Sequence, residues 1–143
     1  MKKRILALDL GDSWIGVANT DITQTIVTPL KIWKSNELFQ ELENYINKYF
    51  PEKIIIGLPI TMNNKNSEQT NKVIKIKNEI EVYLKNNINE KINKIEIIFL
   101  DERLSSTFAK NIQIQNKSQH KNKEQSIAAS IILQNYLNKF SML

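Results

Sequence analysis

The chain predicts an α/β fold built on a mixed five-stranded sheet, three antiparallel strands followed by two parallel ones, flanked by helices. Three observations predict it. Ile5-Leu6-Ala7-Leu8 is followed by a reversal at Gly11 and by Ile15-Gly16-Val17-Ala18, the pattern of a strand, a tight turn and a second strand. Ile54-Ile55-Ile56-Gly57-Leu58 is a continuous apolar run, as a strand covered on both faces requires. From there, runs of strand composition alternate with segments of helical periodicity, which is how parallel strands are connected.

The elements follow in order. Thr25 to Ile32 reads as a third strand, and Pro29 places it at an edge or a bulge because proline gives no N–H to a ladder. Ser35 is expected to cap a helix carrying Leu38, Leu42, Tyr45, Ile46 and Tyr49 at helical spacing, stopped by Pro51. A long helix starts at Ser67, with Val73, Ile76, Ile80 and Leu84 on one face. After a polar connection, Ile95 to Leu100 is the last strand and runs into Asp101-Glu102-Arg103. A final helix holds Ile127, Ala128, Ile131, Ile132, Leu137 and Phe140. With 143 residues, no repeat and no linker, one domain spanning residues 1–143 is expected.

In open α/β sheets the functional crevice lies beyond the carboxyl ends of the parallel strands. Asp9, the Leu58-Pro59 segment and Asp101-Glu102 all fall at such ends. A carboxylate between Leu8 and Leu10 is costly to bury alone, so Asp9 calls for a cation or several backbone donors; acceptance of turn amides is the simpler account. Asp101 and Glu102 are adjacent, and in a continuing strand they point to opposite faces, so only one of them faces a site shared with Asp9.

Composition narrows the chemistry. The chain has no cysteine, which excludes disulfides, thiolate metal sites and a cysteine nucleophile. Its basic start, Met1-Lys2-Lys3-Arg4, is followed by an apolar run that Asp9 interrupts, and no stretch approaches the roughly 18 apolar residues of a membrane span. A cytoplasmic protein without membrane association is expected. Net charge is +5. Arg103, Lys110, Lys117, Lys121 and Lys123 stand in a segment without acids, while the other fifteen basic residues balance the fifteen acids. The surplus is therefore local, and such a field favours a polyanion such as nucleic acid. Against this stands the abundance of Lys, Asn and Ile throughout, which an AT-rich coding sequence produces without function.

Four blocks in order resemble the YqgF/RuvX family of RNase H-fold proteins: Ala7-Leu8-Asp9-Leu10-Gly11 through Ile15-Gly16-Val17-Ala18 with Asp21; Ile56-Gly57-Leu58-Pro59; Asp101-Glu102-Arg103-Leu104-Ser105-Ser106 with Ala109; and Ser126-Ile127-Ala128-Ala129 with Ile131-Ile132-Leu133. They span nearly the whole chain. The resemblance implies an RNase H-like fold and a nuclease that hydrolyses phosphodiesters with Mg²⁺ or Mn²⁺. Its substrate would be structured RNA, namely the 5′ end of pre-16S rRNA in pre-ribosomal particles, or else branched DNA as in a Holliday junction. It assigns Asp9 and Glu102 as metal ligands and catalytic residues, and leaves Asp101 a structural role. Hard divalent cations take oxygen ligands, which is why carboxylates recur in such sites. For Glu102 a surface ion pair with Arg103 is the competing account.

Two positions depart from the family pattern. Where the family has an aspartate before its last helical block, this chain has Gln125. On a wheel of about 100° per residue, Gln125 falls in the arc of Ala128, Ala129, Ile132 and Tyr136, whereas Glu124 lies aside. Gln125 is thus placed in the catalytic set as a neutral oxygen donor, and activity is expected to be reduced, more manganese-dependent or lost. Trp14 stands where many members have a basic residue; it either offers a face on which an unpaired base stacks or is a buried structural tryptophan. Arg103, Lys65, Lys117, Lys121 and Lys123 are the expected nucleic-acid contacts, Arg103 first because guanidinium pairs bidentately with phosphate. His120, the one histidine, reads as solvated. A catalytically weakened binding factor in ribosome assembly is the alternative, and monomer and homodimer both remain open.

Overall fold

The computed structural model describes residues 3–58, 68–87, 95–101 and 124–140, with 124 and 125 described as helical backbone alone. In chain order the elements are β1 (Ile5–Leu10), β2 (Trp14–Thr20), β3 (Val27–Pro29), β4 (Trp33–Lys34), a 3₁₀ turn (Ser35–Glu37), α1 (Leu38–Tyr49), β5 (Lys53–Leu58), α2 (Glu68–Asn87), β6 (Glu96–Asp101) and α3 (Glu124–Phe140).

The described strands form one sheet with the path β3-β2-β1-β5-β6. β1, β2 and β3 pair antiparallel, and β5 and β6 add to β1 in parallel. This is the expected run of three antiparallel and two parallel strands. A sixth, two-residue strand, β4, pairs with the start of β2.

The third strand is shorter than the sequence suggests, for a reason that lies in Asp21. Its carboxylate accepts the N–H groups of Thr25 and Ile26, each at 2.9 Å. Amides spent on that turn cannot enter a ladder, so β3 begins at Val27. It ends at Pro29, on the sheet edge where the proline was expected.

The sheet is covered on both sides. Leu6, Leu8, Ile15, Val17, Ile54 and Ile56 face α1 and α2, meeting Leu42 and Ile46 of α1 and Val73, Ile80 and Leu84 of α2. The alternate residues Ile5, Ala7, Ala18, Ile55 and Leu100 face α3, meeting Ala129, Ile132, Leu133, Tyr136 and Leu137. Ile54, Ile55 and Ile56 are all inaccessible to solvent, so β5 is buried on both faces as its unbroken apolar run implies. Each such side chain contributes roughly 1.5–3 kcal/mol by leaving water. Ala7 and Ala18 are small, which lets α3 lie close over β1 and β2, its main neighbours.

Three expectations are corrected. Ser35 does not cap α1: its hydroxyl donates to the Gly11 carbonyl at 2.8 Å, the chain enters through the 3₁₀ turn, and Glu37 at the N-cap makes no side-chain cap bond. Tyr49 and Phe140, counted with apolar helix faces, are exposed. They lie in the last turns of their helices, where the sheet no longer covers them. α1 closes with Phe50 in the left-handed region (φ 47°), its N–H donating to the Ile46 carbonyl, and Pro51 follows.

Candidate nuclease site

β1 carries its only charged residue, Asp9, next to its carboxyl end, and Asp9 is half-buried. Strand alternation puts it on the α3 side of the sheet with Ile5 and Ala7. Its antiparallel partner on β2 is Gly16. On the other side, the parallel register that pairs Leu8 with Ile56 brings Gly57 next to Asp9 when carried on by one position, and Gly57 in turn pairs with Leu100. Asp9 is therefore flanked along the sheet by two residues without side chains. No glycine among the described residues has positive φ, so backbone freedom does not explain Gly16 or Gly57. What they provide is space beside a carboxylate, space that any Cβ would fill.

The turn leading out of β1 is held from outside. Gly11 N–H donates to the Trp14 carbonyl at 3.1 Å, and Ser35 N–H donates to the Ser13 carbonyl at 3.0 Å. With the Ser35 hydroxyl on Gly11, three bonds fix the segment just after Asp9.

α3 is pinned above the same region. Between the β3 and β4 ladders, Val17 has no strand partner on its outer edge. Its carbonyl accepts from Leu30 N–H at 2.7 Å, and its N–H donates to the fully buried Ser126 hydroxyl at 3.2 Å. The first turn of α3 is thus tied to the residue that follows Gly16. At the other end of α3, Lys53 Nζ donates to the Tyr136 hydroxyl at 2.8 Å, a bond that also raises the Lys53 pKa. Gln125 immediately precedes Ser126 and lies in α3, so the anchor holds its backbone near the Asp9 row.

Asp101 is the last residue of β6, opposite Leu58. Ile97 and Phe99, which share its face, pack against the α1 and α2 core, so Asp101 stands on the other side of the sheet from Asp9. Glu102, Arg103, Lys65, Lys117, Lys121, Lys123 and His120 lie outside the described residues. Among the described residues there is no group of three or more potential metal ligands. Among the described residues, Asp9 offers a carboxylate set between two glycines at the carboxyl end of β1, the type of oxygen donor that hard divalent cations take.

Sequence inspection named Ser35 and Ser126 but missed what they hold, and it passed over Lys34, which pairs in register with Trp14. Ser126 had a signal of its own, as a small polar residue at the start of an apolar helix.

A mixed sheet of this order, with helices on both faces and a first-strand aspartate at its open end, defines the RNase H-like class. Among solved structures, Thermus thermophilus RuvC in complex with Holliday junction substrate superposes with a TM-score of 0.61 over 97% of each chain at 9% identity. The yeast mitochondrial Holliday junction resolvase gives a TM-score of 0.54 over 97% of this chain and 82% of its own, at 13% identity. Identities this low speak for the fold alone. The RuvX model, described as Holliday junction resolvase, matches residues 3–139, and the chain belongs to this family. A Sulfurihydrogenibium protein is 38% identical over 140 residues, covering 96% of this chain and 92% of its own. One from Caldanaerobacter subterraneus is 34% identical over 142 residues, covering 94% and 96%. Both bear the provisional name pre-16S rRNA nuclease.

Proposed function

We propose that the protein is a metal-dependent nuclease that hydrolyses phosphodiester bonds of structured RNA, processing the 5′ end of pre-16S rRNA in the cytoplasm, and that residues 1–143 form one nuclease domain. The observation that carries it is the half-buried Asp9 between Gly16 and Gly57, under the pinned first turn of α3. The names of the family and of its relatives support the reaction class. The absence, among the described helices, of any long and apolar enough to cross a membrane is compatible with this.

Asp9 and Glu102 are the residues that would hold Mg²⁺ or Mn²⁺. Asp101 faces away from Asp9, and the family resemblance assigns the second carboxylate to Glu102. When bound, the cation supplies Lewis-acid stabilisation of the charge that develops on the phosphodiester. Asp9 would hold it from within β1. Gln125 would offer an amide carbonyl without charge, so the site would bind its cations less tightly than one with a third acid. Arg103, Lys65, Lys117, Lys121 and Lys123 neutralise the substrate backbone.

Gln125 also favours a second reading, a ribosome-assembly factor that retains the groove and has lost the chemistry. Cleavage of a labelled precursor-rRNA fragment in Mn²⁺, Mg²⁺ and EDTA, beside the Asp9→Asn variant and a four-way DNA junction, separates them. Metal-dependent RNA cleavage abolished by Asp9→Asn is expected. Tight, salt-sensitive binding without products establishes the binding factor, and cleavage confined to the junction identifies branched DNA as the substrate.

A further inference from the structure

Trp14 and Trp33 occupy neighbouring strands but opposite environments. Trp33 is packed into the α1 side of the core, whereas Trp14 is 40% exposed at the start of β2. Structural packing thus accounts for one indole and leaves the other open to solvent. Strand alternation sets Trp14 on the α3 side of the sheet, the side of Gly16 and Asp9. Because Asp9 pairs with Gly16, Trp14 is the diagonal cross-strand neighbour of Asp9, a relation that spans roughly 7–8 Å between backbones. Gly16, the next residue on that face, puts no side chain between them. Lys34 pairs directly with Trp14 and shares its face. The two border an open recess of about 500 Å³ whose rim also carries Ser13, Ser35 and Asn36. The acid on that rim, Asp12, is matched by Lys72 at 3.8 Å.

We propose that Trp14 is a stacking platform for an unpaired nucleobase of the bound strand, with Lys34 taking an adjoining phosphate. This deepens the nuclease reading and rests on it. An exposed indole offers a π-face to any base, and an ammonium beside it meets the backbone, the combination that holds single strands without sequence preference. Stacking needs a surface that does not yield. The hydrogen bonds of Ser35 to Ser13 and Gly11 hold this turn in place before any ligand arrives. A base held on Trp14 sets the next phosphate towards the Asp9 row, so the platform selects strands that are unpaired beside the scissile bond.

The test is binding measured in EDTA by fluorescence anisotropy, using a labelled single-stranded oligonucleotide and a blunt duplex of equal length, each in ribo and deoxyribo form. Trp14→Leu keeps an apolar side chain but removes the ring, and Trp14→Phe restores a ring. Trp14→Leu is expected to weaken strand binding between about five- and a hundredfold, with Trp14→Phe recovering most of it and duplex binding unchanged. Lys34→Ala is expected to lower the salt slope for the strand by about 0.7. Wild-type strand affinity in Trp14→Leu overturns the proposal, as does an equal loss for strand and duplex or a Trp14→Phe no better than Trp14→Leu. The ribo and deoxyribo arms identify which nucleic acid supplies the base. Cleavage is scored separately: absence of products from the unmodified protein in Mn²⁺ and Mg²⁺ removes the nuclease reading, and full activity in Asp9→Asn removes Asp9 from the site, while the stacking result stands on the binding data; failure of the unmodified protein to bind the single strand overturns the stacking proposal alone.

Discussion

In the proposed site, Gln125 stands where the family pattern has an aspartate. An aspartate there would add a negative oxygen donor to Asp9 and Glu102, and hard cations bind more tightly as ligand charge rises. Gln125→Asp is therefore expected to increase metal-dependent cleavage and to lower the Mn²⁺ concentration giving half-maximal rate, as read in a metal titration. Asp21 shows the opposite use of a carboxylate. The N–H of Ile26, the Thr23 hydroxyl and the N–H of Thr25 hold its carboxyl well below its ordinary value of 3.8, against a small opposing effect of burial. A folded-state pKa below the unfolded one means that the turn's contribution is present above about pH 4 and is lost only as the pH falls through the lowered value. The Asp21 carboxyl carbon should accordingly show no NMR titration step near pH 4, and a step there would contradict the observed bonds. Asp9 stood out in sequence as an acid between apolar neighbours, whereas the work of Asp21 did not, because its partners are amides that any residue supplies.

At the scale of the element, α3 matters most. Its apolar periodicity was visible in sequence, but its attachment was not, since the Ser126 to Val17 bond joins residues 109 positions apart. Removing the hydroxyl strands a buried N–H, which costs about 1–3 kcal/mol. Ser126→Ala is expected to lower unfolding stability by that amount in a urea titration and to weaken metal-dependent cleavage, because the first turn of α3 loses its tie to the Asp9 row. A variant as stable as the parent would show that the bond contributes nothing net. β3 and Ser35 teach the same lesson. Both were assigned from local propensity, and both were decided by hydrogen bonds to other segments, Asp21 for one and Gly11 for the other.

For the molecule as a whole, charge and topology act on different terms. The five basic residues from Arg103 to Lys123 carry the entire net charge of +5. Binding of duplex nucleic acid in EDTA should persist and fall steeply with salt, with a slope of up to about 4.5 in log K per log unit if all five meet phosphates; a slope near zero would remove this segment from the interface. Class, the succession of strands and helices along the chain, and the carboxylate at the end of β1 followed from the amino-acid pattern, because the period of apolar residues and the position of a lone acid among them are local properties that burial enforces wherever the chain folds; the spatial order of the strands did not. The glycine-lined flanks of Asp9, the separation of Asp9 from Asp101 by the sheet, and the exposed Trp14 diagonal to Asp9 belong to the tertiary structure alone. Each depends on which residues of distant strands come into register, and register is set by the packing of two complete faces.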